Sequence, residues 1–158
     1  MALDRDKCDF AYLQCRSLQA PRVVEVGASF GVSTIYLAAA VRDNARGDDT
    51  EGVVAAESEP SKAAAAQANF AEAGLAEVID LREGNALETL REVGGPVDFV
   101  LMDTWIPIVM PALQLLIAHL RPGAMVVCDN VGLFAQEYTE CTDFVRNPAN
   151  GFRSILIP

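Results

Sequence analysis

Five short runs of almost wholly apolar residues alternate with longer segments of helical spacing, and that alternation limits the chain to few architectures. The runs are Arg22–Val26, Gly52–Ala56, Val78–Leu81, Val97–Met102 and Ala124–Cys128. A strand that faces water on one side alternates apolar with polar residues, whereas one buried on both faces reads as a continuous apolar run. Strands of the second kind, separated by helices, predict a parallel sheet covered on both sides. The intervening segments fit that reading. Ser33 to Val41 carries Ile35, Tyr36, Ala39 and Ala40 at helical spacing, and Pro60 opens an alanine-rich helix that stops at Gly74. Asn85 to Val93 predicts a helix closed by Gly94-Gly95-Pro96, and Pro107 to Leu120 another, ended by Arg121-Pro122-Gly123. The fold class is a doubly wound α/β sheet in one domain spanning residues 1–158.

Composition narrows the partners. A net charge of −10 with no lysine or arginine cluster excludes nucleic acid as a natural ligand, because phosphates would be repelled. The apolar runs stop short of the roughly 18–20 residues a membrane span needs. Cys8, Cys15, Cys128 and Cys141 form no Cys-x-x-Cys pair, and the first seven residues lack the apolar stretch of a signal peptide. These features predict a reduced, cytoplasmic protein.

Ligands of such sheets bind beyond the carboxyl ends of the strands, at the point where strand order reverses. The polar residues there are Glu25 and Gly27 after the first strand, Glu57 after the second, Asn85 after the third, Asp103 after the fourth, and Asp129 with Asn130 after the fifth. A dinucleotide fingerprint begun at Gly27 requires glycine where the chain has Ser29 and Val32, and a phosphate loop requires a lysine that is absent. Glu25 would also repel a phosphate. A cationic ligand without phosphate suits the loop better. Gly27 and Gly31 would let backbone approach it, and Glu57 would grip ribose hydroxyls. These are the demands of S-adenosylmethionine. The plainer alternative is that both glycines only make a tight strand-to-helix turn.

The segment Glu25-Val26-Gly27-Ala28-Ser29-Phe30-Gly31-Val32-Ser33 resembles motif I of class I S-adenosylmethionine-dependent methyltransferases, most closely the catechol-type O-methyltransferases and their bacterial and fungal relatives. The resemblance extends through Glu57, Glu83-Gly84-Asn85-Ala86, Asp103-Thr104-Trp105, Leu120-Arg121-Pro122-Gly123 and Asp129-Asn130. It implies a Rossmann-like class I methyltransferase fold and an O-methyltransferase acting on a small hydroxylated, catechol-like or phenolic acceptor. By the same resemblance Glu25, Gly27, Ser29 and Ser33 line the methionine side of the cofactor, Glu57 holds its ribose, and Asn85 and Ala86 border its adenine, with Gly31 a further cofactor-binding position. Asp103 then stands at the junction of cofactor and acceptor.

Asp103, Asp129 and Asn130 close two adjacent predicted strands with oxygen donors alone, a set suited to a hard ion such as Mg²⁺ or Ca²⁺. In the resembling enzymes this trio binds a divalent metal that takes both catechol oxygens; otherwise strand-end acids cap helices or line the cofactor pocket. Trp105 is a candidate acceptor wall or a core residue, with Phe30, Phe134 and Tyr138 as lesser candidates.

The family pattern Asp-x-Trp-Lys places a lysine base where this chain has Ile106. Lys7 lies in the N-terminal segment, Lys62 opens a helix on the cofactor side, and His119 reads as a helix-end residue. Solvent or Asp103 then remains to take the acceptor proton. General-base help is worth about 10²–10⁴-fold, so a catalytically silent domain that keeps the cofactor pocket for binding or oligomerisation is the rival reading. A nicotinamide-dependent oxidoreductase is a weaker one. Only about twenty residues precede the first strand, fewer than the family's N-terminal helices occupy, and the family's final strand is missing beside Ser154–Ile157. An uncovered apolar edge of that kind calls for a partner, so a homodimer or a truncated product is expected.

Overall fold

The computed structural model describes residues 3–45 and 51–157; Met1, Ala2 and Pro158, which belong to the terminal segments read above, lie outside the described residues. Helix α1 (Arg5–Ser17) leads into β1 (Arg22–Val26), followed by α2 (Val32–Asn44), β2 (Gly52–Glu57), α3 (Pro60–Glu72) and β3 (Ile79–Glu83). The second half runs α4 (Ala86–Thr89), β4 (Val97–Met102), α5 (Ile106–Ile117), β5 (Leu120–Cys128) and α6 (Thr139–Arg146). All strand pairs are parallel, in the order β3-β2-β1-β4-β5. The chain winds outward from β1 to β3, then returns to lay β4 on the other side of β1. The reversal therefore falls between β1 and β4. No helix among the described residues is long and apolar enough to cross a membrane.

The alternation of side chains along each strand divides the apolar residues into two layers. Val23, Val53, Ala55, Phe99 and Leu101 join Cys8, Ala11 and Cys15 of α1 and Leu37, Ala38 and Val41 of α2. Val24, Val26, Val54, Val100 and Met102 join Val109, Leu113 and Leu116 of α5, with Leu90 and Tyr138. Strands β1, β2 and β4 are buried on both faces, which is why their sequences are largely apolar, whereas the edge strands β3 and β5 are only partly buried, short of the full coverage expected of them.

The structure departs from the sequence expectation in four places. Residues 5–17 form a helix that apolar patterning does not announce, because its inward face is made of the small residues Cys8, Ala11 and Cys15. The helix expected over Asn85–Val93 is only Ala86–Thr89. Its continuation is unwound because Arg82 takes the carbonyls of Thr89 and Glu92 at 2.7 Å each, and Arg22 takes that of Val93 at 3.0 Å. Leu90 and Val93 are thereby turned into the core. Strand β5 starts at Leu120 and carries Arg121-Pro122-Gly123 inside it, across a register shift opposite Val97 and Phe99. Arg121 reaches the buried Asp98 there. Ser154–Ile157 forms no strand, and Ile155 is 85% exposed.

Gly31 precedes α2 with φ +82°, and a Cβ on it would lie 2.3 Å from the Phe70 ring of α3. The glycine thus permits the close contact between the first loop and α3. Gly31→Ala adds left-handed strain to an overpacked contact and should cost about 2–4 kcal/mol. Urea denaturation checks this. Trimming the ring in the pair Gly31→Ala/Phe70→Leu should return part of the loss.

Candidate functional site at the strand reversal

The carboxyl ends of β1 and β4 touch. Gly27 has φ +98°, and a Cβ there would sit 2.2 Å from the Asp103 carbonyl oxygen. Asp103 N–H donates to Val26 O at 3.1 Å, and Asp129 N–H donates to Met102 O at 3.0 Å. Three consecutive neighbours in the sheet, β1, β4 and β5, therefore deliver Gly27, Asp103 and Asp129 side by side.

Glu25 is fully buried on the α2 side of β1, and Ser33 and Thr34 in the first turn of α2 donate to its two carboxylate oxygens. Burial pushes its pKa up to about 7 despite those two donors, with Asp103 and Glu57 adding like-charge repulsion. Sequence reading put Glu25 beside the ligand. The structure turns it inward, where it fixes the start of α2 beneath the loop. Ser33 shares that role, and Thr34 is a partner that motif spacing did not single out.

Glu57, at the end of β2, is also buried, and it accepts from Ser29 N–H and Glu59 N–H, each at 2.8 Å. Ser29 adopts φ +51°, and its hydroxyl is buried without a partner in the protein. A buried hydroxyl left without a partner calls for a polar group that the protein does not itself supply. The donor and acceptor set at this loop fits S-adenosylmethionine. Asn85 caps α4, its side-chain oxygen accepting from Leu87 N–H at 3.0 Å, and Ala86 opens that helix with partial burial.

Asp103 is half-buried, and Asn130 donates to it at 3.4 Å. Burial raises the Asp103 pKa above the usual carboxylate range, and the neighbouring Asp129 raises it further. Asn130 holds φ +66°, so the residue after Asp129 turns back toward β4. Two carboxylates and an amide oxygen are donors of the kind a hard divalent ion takes. Among the described residues no group of three or more His, Cys, Asp or Glu side chains is placed to hold a metal ion, so the set here is two carboxylates and one amide.

Lys7 is the residue that sequence reading missed here. Its ammonium lies 2.8 Å from Asp129 Oδ1 and 3.5 Å from Asp4. Asp4 caps α1 by accepting from Lys7 N–H at 3.1 Å, so the first turn of that helix aims the lysine at the end of β5. The hydrogen bond to Asp129 holds its pKa above the ordinary lysine value. The signal in the sequence was the Asp4–Lys7 spacing of a capped first turn, which needs the unannounced helix α1 to be legible.

Trp105 is 81% exposed at the start of α5, so it is a surface ring and not core. Ile106 follows it as the first helical residue. Phe30 and Phe134 are partly exposed, whereas Tyr138 is buried in the α5 layer and does not face solvent. His119 contacts Arg91 O at 3.2 Å between α5 and β5, at the opposite ends of the strands.

A methyltransferase domain family model matches residues 24–131, from β1 to just beyond Asp129-Asn130. The chain belongs to the class I S-adenosylmethionine-dependent O-methyltransferase family. Catechol O-methyltransferases from Niastella koreensis and Mycobacterium tuberculosis are 33% and 36% identical to it over 77% and 83% of its length. The chain spans 54% and 57% of those two relatives. The O-methyltransferase TomG from Streptomyces achromogenes, involved in tomaymycin synthesis and solved in complex with SAM, superposes with a TM-score of 0.83 at 29% identity. That likeness covers 97% of this chain and 71% of TomG.

The buried acid yields a stability prediction. The folded pKa of Glu25, about 7, exceeds the ordinary 4.5, so the folded state binds the extra proton. The stability that Glu25 contributes is therefore fully present below pH 4.5 and declines as pH rises toward about 7, by roughly 3 kcal/mol. Urea titrations between pH 4.5 and 7.5 should show that decline in the wild type and a flatter profile in Glu25→Gln.

Proposed function

We propose that this chain carries the cofactor-binding and methyl-transferring part of an O-methyltransferase acting on a small catechol-like or phenolic hydroxyl, with divalent-metal assistance. The observation that carries the proposal is the convergence at one strand reversal of the Ser29–Glu57 loop, Gly27 and the Asp103–Asp129–Asn130 cluster. S-adenosylmethionine, when bound, supplies a methyl group on a positively charged sulfur. The chain's own residues then hold and orient. Glu57 accepts from the ribose hydroxyls while Ser29 and Gly27 border the methionine part, and Ser33 acts through its bond to Glu25 by fixing the loop. Asn85 and Ala86 flank the adenine.

On the acceptor side, Asp103, Asp129 and Asn130 would hold the divalent ion, whose contribution is to acidify the hydroxyl and align its oxygen. Trp105 offers an exposed ring to one face of an aromatic acceptor. Asp103 receives the acceptor proton or passes it to solvent, since Ile106 has no group to do so. Methyl transfer asks little covalent chemistry of a protein, so positioning supplies most of the rate.

Ile106 favours one second reading, a domain that binds cofactor without transferring methyl. Two measurements on the same preparation separate them. Calorimetry with S-adenosylhomocysteine should show binding that Glu57→Gln weakens about 10–100-fold, as expected for lost hydrogen bonds to a charged group. Mass spectrometry after incubation with S-adenosylmethionine, Mg²⁺ and catechol should show a singly methylated product that Asp103→Asn abolishes. Binding without product establishes the silent domain, and absence of both sinks the family activity for this chain.

We also propose a homodimer. The outer edge of β5 has no strand beside it among the described residues, and Leu133, Ile155 and Ile157 are exposed nearby in sequence. Sedimentation equilibrium should return twice the 16.9 kDa chain mass; a monomer at micromolar concentration refutes the dimer.

A further inference from the structure

The charge at the acceptor end of the site is not that of an open metal site. Asp129, one of its two carboxylates, already carries a full ion pair with Lys7 at 2.8 Å. The lysine comes from α1, which is anchored by Cys8, Ala11 and Cys15 in the core and by the Asp4 cap. Asp4 offers the same ammonium a second carboxylate, 3.5 Å away and well exposed. A cation that has two acid perches, one inside the site and one outside it, can occupy the site or vacate it without losing a counter-charge.

We propose that Lys7 is the resident cation of the acceptor site and that its ammonium competes with a divalent ion for Asp129. The inference rests on the reading of Asp103, Asp129 and Asn130 as metal donors and adds a device to it. With Lys7 on Asp129, the two carboxylates of the cluster present a net charge of −1 instead of −2, and one oxygen of the donor set is already taken. A divalent ion entering the site must push the ammonium back toward Asp4. The site therefore holds divalent ions weakly at rest. In the absence of metal it still presents a positive group to an acceptor oxygen, where Ile106 leaves the usual lysine missing.

Opposite signs are expected for two substitutions. Lys7→Met keeps most of the side chain's apolar stem and removes the competitor, so Mn²⁺ should bind at least about tenfold more tightly, a modest figure because the lysine is half-exposed and screened. Asp4→Asn keeps a good helix cap but removes the outer perch, so Mn²⁺ should bind about two- to threefold more weakly than to the wild type. The experiment is a Mn²⁺ titration of the full chain, followed by the paramagnetic resonance of the free ion, with no acceptor or cofactor present. S-adenosylhomocysteine affinity serves as the check of folding, and Lys7→Gln replaces Lys7→Met if the latter does not fold.

Equal or weaker Mn²⁺ affinity in the lysine variant overturns the competition while leaving the metal site standing. No Mn²⁺ binding by wild type and variant alike overturns the metal site together with the competition. Adding Asp103→Asn to Lys7→Met should abolish the tightened binding; if it survives, the ion lies elsewhere and the proposal fails.

Discussion

Everything at the functional end of this chain depends on one close contact between backbones, that of Gly27 with the carbonyl of Asp103. A side chain directly after β1 would meet the end of β4. Here β1 is followed by a residue without one. The first loop can then fold over the end of β4, and Asp103 lies next to the loop that carries Ser29 toward Glu57. Any side chain at residue 27 would push that loop away and separate the Ser29–Glu57 contact from the Asp103 strand end.

The second constraint is charge. Glu25, Glu57, Asp103 and Asp129 are gathered at the same end of the sheet, and each is offset in a different way. Glu25 takes two hydroxyl donors and an elevated pKa. Glu57 takes two backbone N–H groups, Asp103 takes the Asn130 amide, and Asp129 takes the Lys7 ammonium. Burying carboxylates without such partners would cost several kcal/mol each. The four solutions differ because the elements differ: the start of α2, a loop, a neighbouring strand end, and the first turn of α1. An anionic end of this kind suits a positively charged methyl donor, in accord with the family to which the chain belongs.

Much of the strand framework was legible. Val23, Val53 and Phe99 or Val24, Val54 and Val100 read as continuous apolar runs because both faces of each strand are covered, and no tertiary knowledge is needed to see that. The candidate site residues at the strand ends were legible for the same reason, since a parallel sheet puts all its carboxyl ends on one side. What escaped was set by partners remote in sequence. The short α4 owes its end to Arg82 and Arg22, which lie before it in the chain and take its carbonyls. Helix α1 hides its inward face in cysteine and alanine, whose low bulk leaves a faint periodicity. The packing of Gly31 against Phe70 also escaped, because Phe70 comes from the next helix but one.

By itself the sequence determined the order of elements, the parallel character of the sheet and the end of it at which polar residues gather, because these follow from local periodicity and chirality. Tertiary structure alone decided which of those polar groups point outward. Glu25 was turned under α2, Glu57 was wired to Ser29, and Lys7 was carried across 122 residues of chain to Asp129. Electrostatic contacts of that range have no local period to betray them. They exist only once packing has placed a helix and a strand end within the reach of one side chain.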